Sequence, residues 1–252
     1  MSNIAVLPSW QRAEDSFLVG FSTINRFAWG DIYLWPEHPE WPKFSFLRLR
    51  DPNVTSGFLA GEIARFKEQF TGESGEVFLR IPRNLGVPVD TLRSFTRDPD
   101  SIVSVVYNPM ECADLKLAQG LELVRCRSED ELRLWWEVNS DARGRSNPYE
   151  SALWAPIQRK FKQNTEFYLL YRGSVAVTCG AIERFEHGFN SWGLGTRVSE
   201  MRKGYSRAYM AKIGLVFGDR LFSQVDLGES RYQFLSSLAS TRILAIEDLY
   251  VC

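Results

Sequence analysis

Histidine is almost missing from this sequence: His38 and His187 are the only two. The four cysteines, Cys112, Cys126, Cys179 and Cys252, are scattered, and no two form a CxxC pair. These scarcities exclude the common zinc spacings, so no metal cofactor is expected. Isolated thiols also suit a reducing cytosol better than a disulfide-stapled secreted domain. No apolar run approaches the length that spans a bilayer. The first residues, MSNIAVLPSWQRAEDS, have neither the basic start nor the apolar stretch of a signal peptide. A cytoplasmic location without a membrane partner is the expectation. Charge of either sign is not in excess, since 30 Lys+Arg against 31 Asp+Glu leave a formal net charge of -1. The field of the whole chain favours no nucleic-acid partner.

Aromatic residues, in contrast, are plentiful, with 8 Trp and 17 Phe. Such side chains mostly fill cores, and 252 residues suffice for one large domain or two small ones. Trp10, Trp29, Trp35 and Trp41 stand close together near the N-terminus. Residues 35–42 include Pro36, Pro39 and Pro42 and read as a loop, because proline fixes φ and removes a donor. The tryptophans there are expected to pack against the body.

Further along, patterns of period two and 3.6 alternate. Residues 44–50 read as a strand. Asn53 or Thr55 caps a helix to about residue 70, with Phe58, Leu59, Ile63, Phe66 and Phe70 at helical spacing. Residues 76–81 and 102–107 read as strands, and Asp90 caps a short helix between them. After a strand at 121–126, Ser128 and Glu131 make a capping-box signature that opens a helix. Residues 139–148 read as a loop and 149–161 as a helix that Pro156 breaks or kinks. Strands follow at 167–171, 175–182 and 189–196. A helix at 203–217, a strand at 224–227, a helix at 230–240 and a closing strand or short hairpin at 243–251 complete the order. The alternation predicts an α/β fold with a mixed sheet and helices on both faces. The block 44–107 repeats the element order of 189–251, which suggests a diverged partial duplication.

The informative stretch is the turn between the strand ending near Thr196 and the helix after Gly204. A helix N-terminus offers unpaired N–H groups and the positive end of the macrodipole to a phosphate. Gly204 permits close backbone approach. Arg202, Lys203 and Arg207 add positive charge. The local signal alone reads equally well as an ordinary basic turn before a surface helix.

This stretch resembles the GNAT superfamily of acyl-CoA-dependent N-acyltransferases. The family signature, Q/R-x-x-G-x-G/A, falls on Met201-Arg202-Lys203-Gly204-Tyr205-Ser206. Gly204 matches strictly, while Met201 and Ser206 depart from the pattern and Arg202 is displaced by one position. The order of elements over 121–251 also follows the family. The resemblance implies a GNAT-like, mainly antiparallel mixed sheet in residues 119–252, preceded by a partial GNAT-like domain in 1–118 that lacks a phosphate turn. It implies that the backbone of Arg202, Lys203, Gly204, Tyr205, Ser206 and Arg207 holds the pyrophosphate of acetyl-CoA or another acyl-CoA. Leu194 and Thr196 would line the pantetheine arm.

Catalysis by amine acylation needs a base for the amine and an acid for the leaving thiolate. The family often places a Glu on the fourth strand, and residues 189–196 contain no carboxylate. Glu183, at the end of the strand before, is the first candidate base and Glu229 the second. Ser236 falls where the family usually has a Tyr, and Tyr232, one turn earlier, is the nearest candidate acid. Each also reads as a solvated surface group or a helix cap. The resemblance places the acceptor near Trp135, Trp136, Tyr149 and Trp154, with Arg143 and Arg145 on the loop between the helices. A small-molecule amine carrying an acidic group is therefore expected before a protein acceptor. Two alternatives remain at this level. One is a CoA-binding or regulatory protein without turnover. The other is a Fem-like aminoacyltransferase, against which the near-neutral charge counts.

Overall fold

The computed structural model describes residues 7–39, 41, 43–71, 75–112, 120–144, 150–163, 165–226 and 230–252. The N-terminal half forms helix α1 (Ser9–Leu18), strands β1 (Thr23–Arg26), β2 (Gly30–Leu34) and β3 (Phe46–Leu49), helix α2 (Ser56–Phe66), strand β4 (Phe78–Pro82), a one-turn helix α3 (Val89–Leu92) and strand β5 (Thr96–Tyr107). The C-terminal half adds β6 (Leu121–Arg125), α4 (Glu129–Ala142), α5 (Glu150–Phe161), β7 (Thr165–Arg172), β8 (Val175–Phe185), β9 (Gly188–Thr196), α6 (Tyr205–Phe217), β10 (Leu221–Asp226), α7 (Ser230–Ser236) and β11 (Arg242–Val251).

Local chemistry accounts for most of these boundaries. The Thr55 hydroxyl accepts the Phe58 N–H at 3.3 Å and starts α2. Ser128 and Glu131 form the reciprocal capping box that starts α4. Pro156, where a break or kink was expected, lies inside a continuous α5. Its missing N–H forfeits one helical bond, and the burial of Leu153 and Ile157 beside it offsets that loss. Sequence patterning left α1 and the β1–β2 hairpin unassigned. The buried face of α1 carries Gln11, Glu14 and Asp15, so a search for apolar periodicity passes over it.

Among the described residues one eleven-stranded sheet runs in the order β1-β2-β3-β4-β11-β5-β10-β9-β8-β7-β6. Among the described residues only β3–β4 and β9–β10 pair in parallel. Helices α1, α4 and α5 cover one face with a core that includes Leu132, Trp135, Leu153, Phe167 and Ala181. Helices α6 and α7 cover the other face over Val103, Val105, Val177 and Ile182. Helix α2 packs on Leu47, Leu49, Leu79 and Ile81 of the N-terminal half. In the 35–45 loop, Trp35 is buried and rests against Phe21, Trp41 and Phe44.

The last strands of the two halves are exchanged. Strand β11 does not close the C-terminal half, as a closing strand at 243–251 would; it pairs with β4 and β5. Strand β5 in turn pairs with β10. Pro82, Glu247, Ile102 and Asp226 therefore stand in one row across β4, β11, β5 and β10. The proposed boundary at 118/119 lies outside the described residues.

Candidate functional site

Strands β9 and β10 share only two rungs, Phe189↔Leu221 and Asn190↔Phe222, and then part. Past this point no ladder rung joins the two described strands, and a groove opens between them in the sheet. Strand β9 is bent just past this point. The β8–β9 register shifts between Cys179 and Ala181, and Gly193 has φ +63°. Such a bulge turns backbone groups out of the ladder. The Gly193 carbonyl accepts from Asn139 Nδ2 at 2.6 Å. A Cβ at Gly193 would meet the Trp135 ring at 2.9 Å, and one at Gly195 would meet the Ala142 Cβ at 2.8 Å. Helix α4 thus lies directly on the bent strand, and larger residues at either glycine would push it off. Two glycines inside a strand pattern were the sequence signal for this bend.

Beyond the groove the chain turns through Arg202, with φ 63°, and Gly204, with φ 83°. Arg202 is the one described non-glycine residue with positive φ, a conformation that costs an L-residue roughly 1–2 kcal/mol. Gly204 is the N-cap of α6, offers it no side-chain acceptor, and no acidic residue occupies the first turn. No side-chain cap or acidic residue therefore neutralises the first-turn N–H groups or the helix dipole. Helix α2, at the matching place in the N-terminal half, has its cap in Thr55 instead.

Around this turn, Lys203 Nζ lies 3.0 Å from Glu200, which also receives Arg172 at 3.1 Å. The Lys203 hydrogen bond above all holds the Glu200 carboxyl below its ordinary range, with Arg172 adding to it. Arg172 also donates to the Tyr205 hydroxyl at 3.1 Å. Arg202 and Arg207 are exposed, and the Arg207 guanidinium lies 5.3 Å from the Phe234 ring. Ser206 Oγ stands 2.8 Å from Thr196 Oγ1, which is 2.9 Å from Thr178 Oγ1. These three hydroxyls tie the first turn of α6 to β9 and β8. Leu194 is half-buried against the core under α6. Of the eight residues singled out for CoA, Thr196 and Ser206 thus touch, and Lys203 and Tyr205 are linked through Glu200 and Arg172.

The candidate catalytic residues are not brought together. Glu183 is buried and both its oxygens receive Lys160 Nζ, at 2.8 and 3.0 Å. Lys160 Nζ also donates to the Ser16 carbonyl of α1 at 3.0 Å. Burial raises the Glu183 pKa, and Lys160 pulls it back in part. Burial likewise lowers the Lys160 pKa against the pull of Glu183. Tyr232 sits on α7, half-buried against the core on the α6 side of the sheet. Glu229, Arg145 and Tyr149 lie outside the described residues. Trp135 is buried and donates Nε1–H to the Gly180 carbonyl at 2.9 Å, while Trp136 is half-buried and faces Trp154 at 6.2 Å. Among the described residues no group of three or more His, Cys, Asp or Glu stands close enough to hold a metal ion. No described helix is long and apolar enough to cross a membrane.

No protein-family model matches this sequence, and a comparison with curated proteins finds no match. Solved structures do match. A GCN5-related N-acetyltransferase (GNAT) from Kribbella flavida superposes with a TM-score of 0.65 at 15% identity, covering 98% of this chain and 96% of its own. A tandem GNAT protein from the clavulanic acid biosynthesis pathway gives 0.58 at 10% identity, over 94% and 87% of the two chains. A conserved protein of unknown function from Staphylococcus epidermidis gives 0.69 at 13% identity, over 94% and 96%. The chain has the GNAT fold. It carries two GNAT-like halves, as the tandem GNAT protein does.

Proposed function

We propose that this chain moves an acyl group from acyl-CoA to a primary amine, in the cytoplasm and without a metal. The observation that carries this reading is the uncapped, basic, glycine-containing start of α6 at the mouth of the β9–β10 groove. The N–H groups of residues 204–207 would hold the pyrophosphate. Thr196 and Leu194 would line the arm that lies in the groove. The amine nitrogen attacks the thioester carbonyl carbon, the C–N bond forms, and the C–S bond breaks as the thiolate takes a proton. We assign that proton to Tyr232. Glu183 can accept the amine proton only if Lys160 gives up its hold, so we assign this pair a positioning role for α1 and α5. Deprotonation of the amine then falls to solvent, with alignment supplying much of the acceleration. Residues 1–118 would supply a GNAT-like unit without cofactor, since Thr55 occupies the start of α2. The acceptor would be a small amine before a protein, with neither nucleic acid nor membrane as partner.

The Glu183–Lys160 pair also favours a second reading, a CoA-binding protein without turnover. Calorimetry with CoA, together with a thioester-cleavage assay over a panel of amines, separates the two. Binding with cleavage is the first outcome and binding alone the second. Gly204→Val should weaken CoA at least tenfold while circular dichroism shows the fold intact. Unchanged affinity in the folded variant would overturn the site.

A further inference from the structure

The groove has a closed end as well as an open one. Thr196, next to the phosphate turn, stands five positions after Ser191. At a strand rise of about 3.3 Å per residue that is about 16 Å, the order of a stretched pantetheine arm. An arm anchored at α6 therefore brings its acyl end to the apex, where the rung Asn190↔Phe222 closes the sheet. Ser223 Oγ donates to the Ser191 carbonyl at 3.0 Å and bridges the first position past that rung. Tyr107 starts opposite Leu221 on β5 and brings its hydroxyl to within 2.8 Å of Ser191 Oγ, on the far side of β10. Its ring accordingly lies beneath the apex, and its hydroxyl is 4.0 Å from Met210 Sδ of α6. Tyr107, Phe222, Ser223 and Asn190 are each 2% exposed or less.

We propose that Tyr107, a residue of the N-terminal half delivered by the exchanged strand β5, floors the acyl end of the groove and restricts the acyl group to acetyl. The proposal rests on the acyl-CoA reading above. A two-carbon group ends before this floor. A longer chain must displace the Tyr107 ring or part the Ser191–Ser223 bridge, and a filled interior resists added methylenes. The partner half thereby acts on specificity without binding cofactor itself.

The test is calorimetric binding of CoA, acetyl-CoA, butyryl-CoA and octanoyl-CoA to the full chain and to Tyr107→Leu. On the wild type, octanoyl-CoA should bind at least tenfold more weakly than acetyl-CoA, with butyryl-CoA between them. In Tyr107→Leu that ratio should shrink at least fivefold. If Tyr107→Leu does not fold, Ser223→Ala, which removes the bridge, should shrink the ratio in the same direction. Equal binding of all chain lengths to the wild type, or a ratio that neither variant moves, overturns the floor while leaving the CoA site standing. Absence of CoA binding to the wild type overturns both.

Discussion

At the scale of single residues, the ionic groups buried between the halves dominate. Arg48 donates Nε to Glu247 Oε1 at 2.7 Å, Nη2 to Glu247 Oε2 at 2.8 Å and Nη1 to the Tyr33 hydroxyl at 2.8 Å. It also pairs with Glu14, which receives Arg80 at 2.7 Å. All four charged groups are at most 3% exposed, so each depends on the others to offset its desolvation. Arg48→Ala should cost about 3–5 kcal/mol, the usual effect of leaving a buried charge uncompensated, read by urea denaturation; a loss under about 1 kcal/mol would show that these charges do not depend on Arg48. The Glu183–Lys160 pair supports a pH-dependent prediction. A carboxyl whose folded pKa stands above its unfolded value loses stability as pH rises from the unfolded towards the folded pKa. Lys160→Met removes the group that pulls Glu183 back down, so the deficit in melting temperature relative to wild type should widen from pH 5 to pH 8. A constant deficit would show that Glu183 is not desolvated as described. Little of this network is legible in sequence. Arg48, Arg80 and Glu247 fall in segments that read as strands, Glu14 and Tyr33 in a stretch with no clear pattern, and only the folded chain collects them.

At the scale of elements, β11 is the critical piece. It belongs to the C-terminal end of the chain, yet its side chains bind the N-terminal half. Asp248 accepts from Arg83 at 2.8 Å, Arg97 at 2.7 Å and Ser101 at 3.0 Å. Burial works against the Asp248 charge, but hydrogen bonds from these three residues outweigh it and hold its carboxyl below the ordinary value. The contribution of such a group is present above its unfolded pKa and lost as pH falls through the folded one. Asp248→Asn should lower stability at pH 7 by about 1 kcal/mol, given the exposed arginines. The gap from wild type should close towards pH 3, and thermal melts at the two pH values check this. Strand β11 was legible as a strand, because its alternation is local. Its neighbours were not, since register and pairing are chosen among all available edges.

At the scale of the molecule, the exchange of β5 and β11 makes the two halves interdependent. Neither 1–118 nor 119–252 keeps both neighbours of its own last strand. Each fragment expressed alone should be insoluble or lack cooperative melting, while the full chain should unfold in a single transition with matching calorimetric and van't Hoff enthalpies. Two separate transitions, or a soluble folded fragment, would contradict this. The same exchange sets Tyr107 beneath the groove of the other half, so the specificity proposal and the stability prediction share one topological cause.

The sequence by itself determined the α/β class, the capping of α4, most of the strands and helices, and a basic, glycine-containing turn before α6. Each rests on residues within a few positions of one another, where propensity, caps and turn chemistry act. Tertiary structure alone decided which strand closes which half, where the groove ends, and how far Glu183 stands from a free base. Those outcomes depend on contacts between residues distant in the chain, and burial there changes what a side chain can do. A glutamate that reads as a candidate base becomes half of an ion pair once α1 and α5 fold over it. A tyrosine at the end of a β-branched strand becomes the floor of a groove built by the other half.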